Sequence, residues 1–439
     1  MPKTSGPGAM ERAHWDSATH APISPAAQEA LLAALDEGWA DPRRLHREGR
    51  RARLLADGAR EAIAAELGAR TEEVSLTGSF ELACQGALLG AANGRRTARP
   101  LVVHSAIEHS ALLTSVQWLQ DRGGQARQVG VDAAGRVDAA AFVAAVDGSP
   151  PSGPSSLDPS SLDPSSLERP SSDRSESGGS AGARTYAHPD TRTHPGVAVL
   201  QFANAEVGTA QPVEQIQQAC RARGIPLVCD VSTSVAALPT VPTDLAVADP
   251  SCWGGPSGLG VLVVRSGVRW RSPWPAAADG AAHTPLSPGG AYIPLALAAA
   301  VGLQDAMGGR RESARHRHET IAWLRERLPA AVPDLVVVGD PDRRLPHVLT
   351  FSVLYADGES LVEELDRAGF AVGSGSACTA STLQPSHVLA AMGALTHGNV
   401  RIAIPPTPRD ELTDQAERFI AALSPAVDRV RERLGGAGL

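Results

Sequence analysis

The sequence predicts an α/β protein: a mainly parallel sheet with covering helices, followed by a smaller α+β unit. Short apolar runs such as "RPLVVHS", "VAVLQFAN" and "IPLVCDVS" alternate with helix-length segments such as "ALLTSVQWLQDRG" and "VEQIQQACRARG". That is the pattern of strands joined by helical crossovers. From about Pro275 the alternation gives way to two longer helical segments and then to further strands. The chain of 439 residues, 43% of them hydrophobic, is long enough for two or three units.

Each segment has its own signal. The opening stretch, "MPKTSGPGAMERAHWD", lacks the apolar run of a leader peptide and reads as an N-terminal arm over 1–22, so a cytoplasmic location is expected. The helical segment Ser24 to Leu67 begins at "SPAAQEALLAALDEG", where Ser24 caps and Pro25 takes the first helical position, and it breaks at "WADPRRLHREG". A large α/β unit is expected over 23–275. It is interrupted at 148–195 by repeats of "PSSLD" and "PSSLE", too polar and Pro/Ser-rich to bury a core, which read as a disordered surface insertion. A smaller unit is expected over 276–439. It comprises the helices "YIPLALAAAVGLQDAMGG" and "ESARHRHETIAWLRERL", then "LVVVGD", "HVLTFSVLY", "GESLVEELDRAGF" and "NVRIAI", and the closing helix "RDELTDQAERFIAALSPAVDRVRERL".

Composition excludes several functions. A net charge of -8 speaks against a nucleic-acid partner, and no apolar run is long enough for a membrane span. The five cysteines (Cys84, Cys220, Cys229, Cys252, Cys378) are odd in number and lack CxxC spacing, so they are expected as free thiols and not as a zinc site. In "HRHE" the histidines His316 and His318 are two apart on a helix and do not share a face, so no metal is expected there. Lys3 is the single lysine of the chain. Arginine keeps its proton and cannot replace lysine as an amine nucleophile.

The stretch "AVGSGSACTASTLQPSHVLAAMG" resembles the active-cysteine loop of the cysteine desulfurases, in the class V aminotransferase branch of the fold type I pyridoxal-phosphate enzymes. The resemblance implies a seven-stranded large-domain sheet, a homodimer, and a persulfide-forming thiol at Cys378. It continues along the chain. "WDSATHAPISP" is similar to the family's N-terminal arm and "ADPRRLHREG" to the segment after it. "AIEHSALL" places His109 where the family stacks an imidazole on the cofactor ring. "LVCDVSTSV" places Asp230 where a carboxylate meets the pyridinium nitrogen, and "NVRIAI" places Arg401 where the substrate carboxylate binds.

The same frame exposes what is missing. In "DPSCWGGPSGLG", Cys252 stands at the Schiff-base lysine and Ser251 at the histidine before it. Ala205 replaces an asparagine and Thr233 a glutamine that contact the ring hydroxyl. Phe80 replaces a phosphate-binding threonine, while Ser287 and Gly290 replace the arginine and threonine lent by the second subunit. Each charge-assisted phosphate bond is worth about 1.5–3 kcal/mol, so the expectation is that no cofactor is used. Cys252 reads either as a sulfur-relay partner of Cys378 or as a tolerated small residue. His109, Asp230 and Arg401 read either as ligand contacts or as packing in an emptied pocket, with capping a further role open to Asp230. Three functions follow: a non-catalytic partner in sulfur transfer, binding a sulfur acceptor or an active desulfurase; a pyridoxal-independent sulfurtransferase using Cys378; and an active cysteine desulfurase using another amine.

Overall fold

A computed structural model of the chain describes residues 12–95, 99–148, 195–239, 241–274, 291–374 and 385–435. Seven strands form one sheet: β2 (Val74–Thr77), β3 (Leu101–Ser105), β4 (Gln125–Val129), β5 (Pro195–Val199), β6 (Leu227–Asp230), β7 (Leu245–Ala248) and β8 (Gly260–Val264), in the order β2-β8-β7-β6-β5-β3-β4. Only β8 runs against its neighbours. Strands β3 and β5 are buried along their whole length, which is why they read as unbroken apolar runs. Successive residues of β5 serve opposite faces. Val197 and Val199 pack beneath helices α3 (Phe80–Gly94) and α4 (Ser110–Gln120), whereas Ala198 joins the core formed with α2 (Arg47–Glu66), α5 (Ala139–Val146) and α6 (Val213–Ala222).

Local signals set the helix starts. Ser24 caps α1 (Pro25–Glu37) by accepting from the Ala27 amide, with Pro25 in the first turn as expected. Helix α7 (Ile293–Gly308) differs from the sequence reading, which grouped it with the smaller unit. It packs on α1 and α2, and its Ala296, Ala299, Ala300 and Leu303 complete the core under the large sheet. Its alanine-rich face allows that close approach, a packing choice that periodicity alone does not reveal. The Pro/Ser-rich insertion expected at 148–195 lies outside the described residues except for Gly148 and Pro195, and Pro195 already belongs to β5.

The C-terminal half builds a three-stranded antiparallel sheet, β12 (Asn399–Ala403), β10 (Val348–Val353) and β9 (Leu335–Val338), in that order. Helices α8 (Arg310–Ala331), α9 (Gly358–Arg367) and α11 (Arg409–Arg433) cover it. The N-terminal arm joins this unit. Its strand β1 (Ala13–His14) pairs in parallel with β11 (Phe370–Ala371), and α10 (His387–Ala391) follows later in the chain. Trp15 has no exposed surface; its ring lies 5.5 Å from Phe370 and 5.1 Å from Phe419, and its Nε1 donates to Gln415 Oε1 at 2.9 Å.

Trp15→Ala is therefore expected to cost about 3–5 kcal/mol of the stability of this second core. Urea unfolding followed by circular dichroism checks it, and a change below about 1 kcal/mol would show that the arm does not support this unit.

Candidate functional site

Strand β3 has β4 on one side and β5 on the other, so the chain winds away in both directions from that point. Such a switch opens a crevice beyond the strand C-termini, where α/β sheets place ligands. The segments leaving β3 and β5 are tied across it. Ile107 O accepts from Gln201 Nε2 and, at 3.2 Å, from Asn204 Nδ2, and Glu108 Oε2 accepts from the Gln201 amide at 2.9 Å. His109 begins α4, its Nδ1 accepting from the Ala111 amide at 3.2 Å. Asp230 ends β6, and its Oδ1 accepts from the Ser232 amide at 2.9 Å and from Ser232 Oγ at 2.5 Å. It closes a local turn and caps no helix.

The turn carrying Cys252 is held from several sides. Asp249 Oδ1 accepts from the Ser251 amide at 2.9 Å, Pro250 opens the short helical turn Pro250–Trp253, and Gly254 ends it at φ +83°, a conformation that favours glycine. Trp253 Nε1 donates to Ala299 O of α7 at 3.1 Å. The arm lies over the other side: Ser251 Oγ donates to Thr19 O at 2.8 Å, Cys252 Sγ to the same oxygen at 3.5 Å, and the Ala21 amide to Ser251 O at 2.8 Å. Burial pushes the Cys252 thiol well above the usual thiol range, and the Asp249 and Asp230 charges add to it.

Arg401 reaches the crevice from β12. Its Nη2 donates to Asp16 Oδ1 at 2.8 Å, while its buried Nε has no partner. Glu206 is placed nearby because Asn204 Oδ1 takes the Glu206 and Val207 amides, both at 2.9 Å. Its Oε1 is also buried without a partner. Burial raises the Glu206 carboxyl to about 7, against the lowering effects of a Ser386 hydrogen bond and the Arg401 charge.

The structure thus gathers Asp230, Ser251, Cys252 and Arg401 about one crevice, with His109 at its β3 side. Phe80 starts α3, is buried, and meets His109 edge to face at 5.0 Å. Thr233 Oγ1 is spent on Ala203 O at 3.4 Å, and Ala205 sits in the turn before Glu206. Cys378, Ser287 and Gly290 lie outside the described residues. Cys84, Cys220, Cys229 and Cys252 are free, and no metal-binding group of His, Cys, Asp or Glu occurs among the described residues. Sequence reading missed Asp16, Glu108, Glu206 and Asp249. Asp16, Glu108 and Asp249 lie inside the quoted motifs "WDSATHAPISP", "AIEHSALL" and "DPSCWGGPSGLG", and Glu206 directly follows Ala205.

The profile of the family "Aminotransferase class-V" matches residues 188–409. The chain belongs to that family. It is 28% identical over 438 residues to a protein of Cereibacter sphaeroides named "Cysteine desulfurase", covering 96% of this chain and 97% of the relative. It is 29% identical over 444 residues to the "IscS-like cysteine desulfurase" of Mycobacterium tuberculosis, covering 97% and 99%. The fold also matches a solved "NIFS-LIKE PROTEIN" at TM-score 0.74 and 20% identity, covering 94% of this chain and 99% of that one.

Family membership corrects one expectation. Class V aminotransferases bind pyridoxal phosphate and the relatives are named cysteine desulfurases, so the expectation that no cofactor is used is overturned. The residues present fit the group in part. The unpartnered Arg401 Nε and Glu206 Oε1 leave buried hydrogen-bonding capacity suited to a polar ligand, with Asp230 and His109 available to its ring. Residue 252 carries a thiol, and no lysine occurs among the described residues.

Burial pushes the Glu108 carboxyl up to about 8; the Asp230 charge adds to this, and hydrogen bonds from Ser105 and the Gln201 amide oppose it. The folded state therefore holds a proton that the unfolded chain releases near pH 4–5, and stability falls as pH rises from about 5 to 8. Glu108→Gln mimics the protonated carboxyl and is expected to flatten that fall. Melting temperatures of both proteins across this range check it; parallel curves would contradict a protonated Glu108.

Proposed function

We propose that this cysteine-desulfurase-like chain has lost lysine-dependent desulfuration and acts in sulfur transfer as a binding partner. The carrying observation is residue 252: a cysteine on a firmly held turn, in a chain whose only lysine is Lys3. A thiol can add to an aldehyde but cannot form an imine with it, and burial, which pushes this thiol above its usual range, works against proton shuttling at neutral pH. Asp230 and His109 still flank the ring position, and Arg401 would take a substrate carboxylate once Asp16 releases it. The cofactor, when bound, supplies an electron-withdrawing pyridine ring.

The partners in this reading are a second copy of the chain and a sulfur acceptor or an active desulfurase. Exposed apolar side chains on α1, α2 and the segment between them support a protein partner: Leu32, Trp39, Leu45 and Leu54. No helix among the described residues is long and apolar enough to cross a membrane, which is consistent with a cytoplasmic role. A second reading keeps Cys378 as a persulfide carrier loaded by another protein. It is favoured by the "GSGSACTAS" loop, whose Gly and Ser residues suit an accessible thiol.

Incubation of the purified chain with pyridoxal phosphate, L-cysteine and dithiothreitol tests the proposal. No alanine above a protein-free control is expected, and several turnovers of alanine per chain would overturn it. With a persulfide donor protein, Cys378→Ala is expected to abolish any labelled sulfur on the chain if the carrier reading holds. Unchanged labelling would remove Cys378 from it.

A further inference from the structure

Helix α8 buries Arg317, Ile321, Leu324 and Leu328, at the three- and four-residue spacing of a core-facing stripe. The three apolar residues belong to the core over the small sheet, together with Ile404. An arginine thus occupies a place in the stripe that an apolar side chain would fill. Its Nε donates to Ser313 O one turn earlier and its Nη1 to Ile404 O, both at 3.3 Å. The Ile404 amide donates in turn to His347 O at 3.0 Å. Guanidinium and imidazole therefore meet through one residue at the strand ends, since His347 directly precedes β10 and Ile404 directly follows β12.

A buried cation ordinarily has a carboxylate beside it. Arg317 makes no ion pair among the described residues, and the acidic residues nearest it along α8, Glu312 and Glu319, face His316 and Arg409 instead. Burial alone lowers Arg317 to about 10, with no acidic neighbour offsetting it, so it stays charged at neutral pH. Its charge adds to the burial that lowers His347. Two polar atoms beside it are spent on nothing: Ser313 Oγ and His347 Nδ1 are buried without a hydrogen-bond partner. Arg317 Nη2 likewise meets no acceptor among the described residues. All three can donate a hydrogen.

We propose that Arg317, Ser313 and His347 form a site for a small tetrahedral oxyanion, sulfate or phosphate, which fastens α8 to the ends of β10 and β12. Such an ion brings both the missing negative charge and several acceptor oxygens, and a guanidinium suits it. A water molecule would supply an acceptor but no charge. Because Ser313 Oγ and His347 Nδ1 are closed off from solvent, the occupant is a free ion and not a group on a larger molecule. The site shares no residue with the crevice about Asp230, Cys252 and Arg401, and it stands whether or not the chain desulfurates cysteine.

Equilibrium dialysis of the full chain against labelled sulfate, and separately against labelled phosphate, in chloride buffer of constant ionic strength reads the site directly. About one ion per chain is expected, half-saturated below about 1 mM, and the tighter of the two is the occupant. No binding of either at about 10 mM, or equal competition by chloride, would overturn the proposal. Arg317→Met completes the apolar stripe and is expected to weaken binding at least about tenfold. Without the oxyanion it is expected to melt no lower than the parent, because an unpaired buried charge has been removed. Parental affinity in this variant would overturn the proposal, as would a lower melting temperature in the oxyanion-free buffer. Ser313→Ala removes one donor at a half-buried helical position that alanine suits, and it is expected to fold and to bind several-fold more weakly. An unchanged affinity in folded Ser313→Ala would also overturn it.

Discussion

Burial sets the protonation of the groups about the crevice. Carboxyls removed from water are costly unless a cation or a proton accompanies them. The consequences extend through neighbouring groups. Glu108 holds its proton to about 8 and Glu206 to about 7, Asp249 is raised in the same direction, and the Cys252 thiol stays protonated. None of this disturbs the backbone, because the turn at 250–254 is built from its own cap, proline, tryptophan and glycine.

The arm contributes in the same way. Its Trp15 is locked into the core of the second unit, its Asp16 holds Arg401, and its Thr19 carbonyl receives both Ser251 and Cys252. One short extended segment thus bridges the small sheet and the turn of the large one. Such a bridge needs little sequence to specify it: a buried tryptophan fixes position, and an adjacent carboxylate meets the nearest guanidinium.

Much of the fold was legible in the sequence for physical reasons. Strands buried on both faces read as apolar runs, as in β3 and β5, and Ser24-Pro25 announced the start of α1 by its capping chemistry. Helix α7 was misplaced because alanine-rich helices carry little directional pattern, and the choice of packing partner is tertiary. In the site, motif order singled out Asp230, Cys252 and Arg401, which the fold brings near one another. The charge network was not legible. Glu108, Glu206 and Asp249 acquire their roles through burial and through groups distant in sequence, as when the Gln201 amide meets Glu108 across the crevice. The absence of a cofactor was the inference that failed: exchanges at single aligned positions, at 252 and at the phosphate and ring-hydroxyl contacts, were taken for loss of the ligand that the family binds.

Borohydride treatment of the native chain with pyridoxal phosphate, followed by peptide mapping by mass spectrometry, examines the central claim most directly. With a thiol at 252 and no lysine after Lys3, no fold-dependent cofactor adduct should form on the chain. A stoichiometric adduct on Lys3 or on the N-terminal amine, present in the native protein and lost when it is unfolded in urea before reduction, would contradict this. It would mean that the arm delivers an amine to the site and that the lysine has been relocated in the chain.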